Sequence, residues 1–319
     1  MLNRRKFFKT TGALALGSLL LPACADGTTS KAETTEAAES AAGPSAASPA
    51  TDLAVGLQLY TVREQLDQDL KGTLQKIADI GYKDLESAAG MKGHYYGMKP
   101  QEFASLVEGM GMKLRSSHVL LGTQLPEEAP LPPEFLTLTN GMQQLVDMAA
   151  ESGQAFLTCA YMFPSEHKTL DQYRRAIELF NKAGEACKKA GLGFAYHNHD
   201  FEFETLEGQR PYDLILAQTD KDLVQMELDL YWATKSGNDP VALFEKYPGR
   251  FPMWHVKDMD TTEKKFFTEV GNGSIDFKRI FDKAELAGMK YYFVEQDQTP
   301  GNPMDSIATS YQNLTKILG

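Results

Sequence analysis

A chain of 319 residues with 32 Lys and Arg against 43 Asp and Glu carries a net charge of −11, which excludes the basic footprint that a nucleic-acid backbone demands. Hydrophobic residues make up 42% of it, enough for a large core, and three cysteines are too few for a disulfide framework.

The first residues read as an export signal rather than as part of the fold. The run Asn3-Arg4-Arg5-Lys6-Phe7-Phe8-Lys9 sets two arginines ahead of an apolar stretch, Ala13 to Leu21, that is too short to span a bilayer. That stretch ends in Leu21-Pro22-Ala23-Cys24, which resembles a bacterial lipobox. Residues 1–23 are therefore expected to be a twin-arginine lipoprotein signal peptide, with Cys24 the lipidated first residue of the mature chain. An ordinary signal peptide with an incidental cysteine is the alternative. Twin-arginine export carries folded proteins, often with a cofactor acquired inside the cell, a first hint of a metal. Residues 24–50 are almost wholly Ala, Ser, Thr, Gly, Glu and Pro without apolar periodicity, which predicts a flexible tether. The protein is expected to be exported and held to a membrane by its lipid, as a periplasmic or cell-surface lipoprotein.

Residues 51–319 fit one domain of α/β-barrel size. Short apolar runs alternate with amphipathic stretches eight times, the rhythm of parallel βα units. The predicted strands are Val55–Tyr60, Lys83–Glu86, Lys113–His118, Phe156–Tyr161, Gly193–His199, Leu223–Leu228, Met253–Lys257 and Tyr291–Glu295. Helical patterns fall at Leu70–Ile80, Pro100–Met110, Phe135–Ser152, Asp171–Ala190, Ile275–Ala287 and Asp305–Leu318. Glycines 81, 111, 153, 191 and 288 follow helical stretches, where a left-handed residue ends a helix. A closed (β/α)8 TIM barrel is the predicted fold, with a doubly wound open sheet as runner-up. Cys159 and Cys187 fall in buried segments and read as free, small hydrophobes.

In such a barrel the active site gathers at the C-terminal ends of the strands. Those ends carry Gln58 and Tyr60, Glu86, His118, Tyr161, His197 and His199, Asp229, His255 and Lys257, and Glu295, so four of the six histidines collect there. His197, Asp229, His255 and Glu295 come from four successive strands and converge on one point, a ligand set for one divalent ion such as Mn²⁺, Mg²⁺, Co²⁺ or Zn²⁺. Glu86, His118, Tyr161, Glu227 and Trp232 are the candidate substrate-binding residues. A histidine or inward glutamate at a strand end also serves as a structural hydrogen-bonding group, and Glu227 reads equally as support for a ligand histidine. Gly271-Asn272-Gly273 lacks a phosphate-loop fingerprint and reads as a tight turn before a helix.

Four motifs carry a resemblance: His197-Asn198-His199-Asp200-Phe201-Glu202-Phe203, Glu227-Leu228-Asp229-Leu230-Tyr231-Trp232, His255-Val256-Lys257-Asp258, and Val270-Gly271-Asn272-Gly273-Ser274-Ile275-Asp276. Over residues 53–318 the chain is similar to the sugar phosphate isomerase/epimerase superfamily of xylose isomerase-like barrels. The resemblance implies a metal held by Glu, Asp, His and Glu from the last four strands. Asp229, His255 and Glu295 match the last three, and the first falls on His197. Family epimerases use two facing glutamates as acid and base. Here Glu295 is the remaining carboxylate base, with Lys257 or His199 as the second group and Glu202 and Glu227 as further candidates. The function implied is a metal-dependent isomerase or epimerase that removes a proton beside the carbonyl of an unphosphorylated sugar or keto-sugar. A lyase or dehydratase acting on keto-sugars or 3-keto-glycosides, the latter made by a separate oxidoreductase, is the alternative. A non-catalytic carbohydrate-binding lipoprotein is a third reading. An endonuclease-IV-like role would need a three-metal cluster and a basic groove. The expected partners are a small carbohydrate and, through the anchor alone, a membrane; a homo-oligomer is compatible with the sequence.

Overall fold

A computed structural model describes residues 54–90, 92–125 and 135–319. The expected signal peptide, Cys24, the tether and the domain start at residue 51 lie outside the described residues. None of the described helices is long and apolar enough to cross a membrane.

The apolar runs become eight short strands: β1 Gly56–Gln58, β2 Asp84–Ser87, β3 Lys113–Leu120, β4 Phe156–Tyr161, β5 Gly193–His197, β6 Val224–Asp229, β7 Met253–Val256 and β8 Tyr291–Val294. Each lies parallel to its neighbours, and β8 returns to pair with β1. The sheet is a closed barrel, so the open doubly wound alternative is excluded. Helices connect the strands, and the sequence signals explain their ends. Helix Leu170–Lys189 opens on a capping box between Thr169 and Gln172. Gly288, at φ 75°, closes helix Ala284–Ala287 in the left-handed conformation.

Two expectations need adjusting. Ile275–Ala287 forms two short helices, Phe277–Phe281 and Ala284–Ala287, because the backbone leaves the helical path at Lys283. The apolar spacing runs on across the break, which hides it in the sequence. The predicted first and fifth strands also run on past their real ends. Beyond Gln58 the chain enters a 3-10 turn, Leu59–Val62, whose Tyr60 N–H donates to Gln58 Oε1 at 2.9 Å. His199 lies past the end of β5, on the loop.

Alternation along each strand sorts side chains into two shells. Outward residues pack beneath the helices, as where Trp254 stacks on Phe244 at 4.9 Å. Inward residues fill the barrel in layers. Phe156, Ala195, Met253 and Phe293 form an apolar plug separate from the main core. Polar groups follow, with Ser116 Oγ 2.9 Å from Thr158 Oγ1, and Glu86 and Glu227 fully buried.

Candidate metal centre

Strand register decides which inward side chains share a level. Asp229 pairs with His255, His197 with Glu227, and Gln58 with Glu86. One ligand atom each from His197, Asp229, His255 and Glu295 lies within 4.8 Å of the other three.

His197 Nδ1 is 3.2 Å from the Ala160 carbonyl, which only accepts, so this nitrogen holds the proton. Nε2 then presents its lone pair to the centre and has no hydrogen-bond partner. Asp229 is equally prepared. Its N–H donates to Asn198 Oδ1 at 3.1 Å, and its Oδ1 accepts the Trp232 N–H at 2.9 Å. Its Oδ2 makes no hydrogen bond, although Lys257 Nζ stands 3.0 Å away and His197 Nε2 3.4 Å. We read these as charge contacts too oblique to satisfy that oxygen. His255 directs Nε2 at Glu86 Oε2 (2.7 Å) and Nδ1 at Glu295 Oε2 (2.8 Å). Two imidazoles and two carboxylates, two of them with buried atoms that make no hydrogen bond, suit a borderline divalent ion. The residues fit a metal.

Below this centre lies a support of hydrogen bonds. His118 Nε2 reaches Glu227 Oε2 at 2.8 Å and Glu86 Oε2 at 3.0 Å, and Gln58 Nε2 donates to Glu86 Oε2 at 2.7 Å. Glu86, His118, Glu227 and His255 also bring ligand-type atoms within 4.8 Å. There, however, the imidazole nitrogens facing the group already meet carboxylate oxygens at hydrogen-bonding distance. Burial pushes the pKa of His118 down, but Glu86 and Glu227 beside it hold it up at about 9. The same opposition, won by Glu227 and Glu295, holds His255 well above the usual imidazole range. His255 must therefore release its Nδ1 proton to serve as a ligand.

Above the centre opens a cavity of about 610 Å³, lined by His118, Tyr161, His197, His199, Trp232, Lys257 and Glu295, and also by Tyr60, Arg63, Phe163, Phe267 and Asp297. Lys257 is buried among three carboxylates, 2.7 Å from Asp297 Oδ1, 2.8 Å from Glu295 Oε2 and 3.0 Å from Asp229 Oδ2. Burial works against both charges, yet Asp229, Asp297 and Glu295 together hold Lys257 well above the lysine range, and Lys257 with His255 holds Glu295 well below the carboxylate range. Burial, with His197 and Lys257 nearby, holds His199 well below the imidazole range, so its ring is neutral at pH 7. Its Nδ1 and the Trp232 Nε1 are buried without partners.

The inward acids divide by height. Glu86 and Glu227, expected at the substrate, do not line the cavity; they lie beneath it and act on it through His118 and His255. Glu202 does not line it either. Burial pushes its carboxyl up to about 8, and it accepts the Tyr196 hydroxyl and the His199 N–H (2.8 Å), which fixes the loop that carries His199. Tyr60 was placed at a strand end without a role, whereas Arg63, Phe267 and Asp297 escaped the sequence reading. The signal for Asp297 was present, since it stands two residues past Glu295 just as Lys257 stands two past His255. Phe267 had no such signal. It reaches the cavity because Phe267–Thr268 pairs antiparallel with Asp258–Met259.

Asp258 explains the glycine motif. Its Oδ2 accepts the Gly271 and Gly273 N–H groups at 2.9 and 3.0 Å, and its Oδ1 those of Met259 and Ile275 at 2.8 and 3.2 Å. A Cβ on Gly273 would meet Asp258 Oδ1 and Met259 O at 2.3 Å. These amides clamp a turn onto an aspartate, as the tight-turn reading anticipates, and are not offered to a phosphate.

Comparison with known proteins agrees with this architecture. The family model of the xylose isomerase-like TIM barrel matches residues 74–317. The inosose dehydratase of Lacticaseibacillus casei is 24% identical over 250 residues, spanning 70% of this chain and 82% of its own. A solved sugar phosphate isomerase/epimerase from Parabacteroides distasonis ATCC 8503 superposes with a TM-score of 0.68 at 29% identity, covering 85% of this chain and 96% of its own. A xylose isomerase-like TIM barrel protein from Mycobacterium smegmatis, solved in complex with magnesium, shares the fold with a TM-score of 0.63 at 13% identity over 85% of this chain and 98% of its own.

Proposed function

The chain belongs to the xylose isomerase-like TIM barrel family, and from that premise we propose that it is a divalent-metal-dependent enzyme that isomerises or epimerises an unphosphorylated sugar or keto-sugar by removing a proton beside a carbonyl. The observation that carries this reading is the pair of buried ligand atoms without a hydrogen bond, His197 Nε2 and Asp229 Oδ2, facing His255 and Glu295 under an aromatic-lined cavity. The relatives act on related chemistry by name, as an inosose dehydratase and a sugar phosphate isomerase/epimerase.

His197 Nε2, Asp229 Oδ2, His255 Nδ1 and Glu295 would hold the ion. When bound, it would polarise a substrate carbonyl and acidify the neighbouring C–H. Glu295 takes that proton: Oε2 faces the ligand cluster, and Oε1 has no hydrogen bond among the described residues. Its low pKa makes it a ready but weak base, matched to a carbon acid already strengthened. Lys257, charged and 2.8 Å from Glu295 Oε2, returns a proton or stabilises developing oxyanion charge. His199, neutral, is better suited to orient a hydroxyl than to donate a proton, and Trp232 and Tyr161 supply faces for a sugar ring. The clamped glycine turn gives no support for a phosphorylated substrate.

One observation favours a second reading, dehydration. A carboxylate base and a lysine acid side by side suit removal of a proton with protonation of a departing hydroxyl better than delivery of a proton to the opposite face. Incubating the Mn²⁺-loaded protein in heavy water with a panel of ketohexoses, inososes and 3-keto-glycosides tests both. Solvent deuterium is expected at the carbon next to the carbonyl, with water loss recorded as a new conjugated absorbance if dehydration is the outcome. Absence of exchange and of product across the panel, with metal bound, overturns the enzymatic reading in favour of a carbohydrate-binding role.

We further propose that the protein is an exported lipoprotein anchored through Cys24. Cys24→Ser should move it from the membrane to the soluble fraction with the barrel's activity unchanged. Retention on the membrane would refute the anchor.

A further inference from the structure

Tyr60 is out of place by the rule that buries large side chains. Among the described residues only Tyr60, Leu125, Phe266 and Leu286 are large hydrophobics left exposed, and of these Tyr60 lines the cavity, at 39% exposure. Its ring is held. The Arg63 guanidinium lies 4.1 Å from the ring centroid, and Arg63 Nη1 donates to the Tyr60 carbonyl at 2.8 Å and to that of Asp297 at 3.2 Å. Its backbone is wired to the metal centre as well. The Tyr60 N–H donates to Gln58 Oε1, Gln58 donates to Glu86, and Glu86 holds His255. Ala88 and Ala89, with side chains of a single methyl, line the same cavity.

A second aromatic face, Trp232, lines the same cavity on the β6 side next to His199 and Lys257. Two aromatic surfaces in one cavity, Trp232 beside Lys257 and His199 and Tyr60 beside Arg63, are more than a single sugar ring needs. The cavity of about 610 Å³ also has space for more than one ring, within the ~300–1,000 Å³ of small-molecule sites. We propose that Tyr60, Arg63, Ala88 and Ala89 form an outer subsite for a second sugar ring, so that the preferred ligand is a disaccharide or glycoside whose inner ring meets Trp232 and the metal centre. The subsite rests on the reading of the cavity as a carbohydrate site. Polar edges of the outer ring would face Arg63 and Gln298, and its apolar face the tyrosine.

The chain holds two tryptophans, and Trp254 is fully buried against Phe244 in the helical layer, so tryptophan fluorescence reports on Trp232. The full-length, Mn²⁺-loaded protein is titrated with glucose and galactose and with maltose, cellobiose and lactose. At least one disaccharide should bind about tenfold more tightly than its constituent monosaccharides, the scale of one stacked ring. Tyr60→Ala should remove that preference without changing monosaccharide affinity, and Tyr60→Phe should keep it. Equal affinity for one and two rings, or a preference that survives Tyr60→Ala, overturns the subsite and leaves the carbohydrate reading standing. No response to any of these sugars overturns the subsite, while the carbohydrate reading itself stands or falls with the keto-sugar panel above.

Discussion

Glu295→Gln is expected to lower turnover by about 10² to 10⁴, the usual contribution of a positioned general base. The amide keeps the shape of the carboxylate and one oxygen toward His255 Nδ1, at 2.8 Å in the native protein. The fold should survive, and much of the metal affinity with it. What disappears is the acceptor for a proton. Deuterium exchange at the carbon next to the carbonyl, measured separately from product formation, should therefore vanish with turnover. Losing a charge that compensates Lys257 is a second consequence, and it separates roles, because Lys257→Met should leave exchange in place while slowing the step that follows it. Exchange at the wild-type rate in Glu295→Gln would move the base elsewhere. Asp297 would then be the next candidate, since it lines the cavity, whereas Glu227 and Glu202 do not.

Asp229→Ala should lower divalent-metal affinity by one or more orders of magnitude and abolish measurable activity. Here a stability effect has to be separated from a ligand effect. Asp229 Oδ1 also caps the helix Leu230–Lys235 through the Trp232 N–H, so alanine additionally costs about 1 kcal/mol in capping. Asp229→Asn resolves the two. Its amide oxygen can keep the cap, while the anionic Oδ2 that faces His197 Nε2 is lost. Calorimetric titration with Mn²⁺ and thermal unfolding with and without the ion are the measurements. Wild type should gain thermal stability on metal addition, by mass action on the folded state, and Asp229→Asn should lose most of that gain while keeping its metal-free Tm near the wild-type value. Undiminished metal affinity in both variants would rule out this centre.

Much of the barrel and of its centre is legible residue by residue. Apolar runs broken by Gly81, Gly111, Gly153, Gly191 and Gly288 mark eight βα units, and the helix Leu70–Ile80 forms over the very span its pattern predicts. His197, Asp229, His255 and Glu295 could be grouped because each falls at the C-terminal end of a strand, where side chains converge. Lys257 followed from His255 by the two-residue period. Asp297 was readable by the same logic and escaped it.

What the sequence by itself determined is therefore the direction of each side chain, inward or outward, because alternation is a local property of extended backbone. Its height along the barrel axis was decided only by closure. The stagger between strands sets Asp229 level with His255 and His197 level with Glu227. Glu295 lines the cavity whereas Glu86 and Glu227 do not, though all three are inward glutamates at strand ends. Contacts across long stretches of chain were hidden for the same reason. Asp258 clamps Gly271, Gly273 and Ile275, and Arg63 reaches the Asp297 carbonyl, only because β1, β7 and β8 end side by side once the sheet has closed.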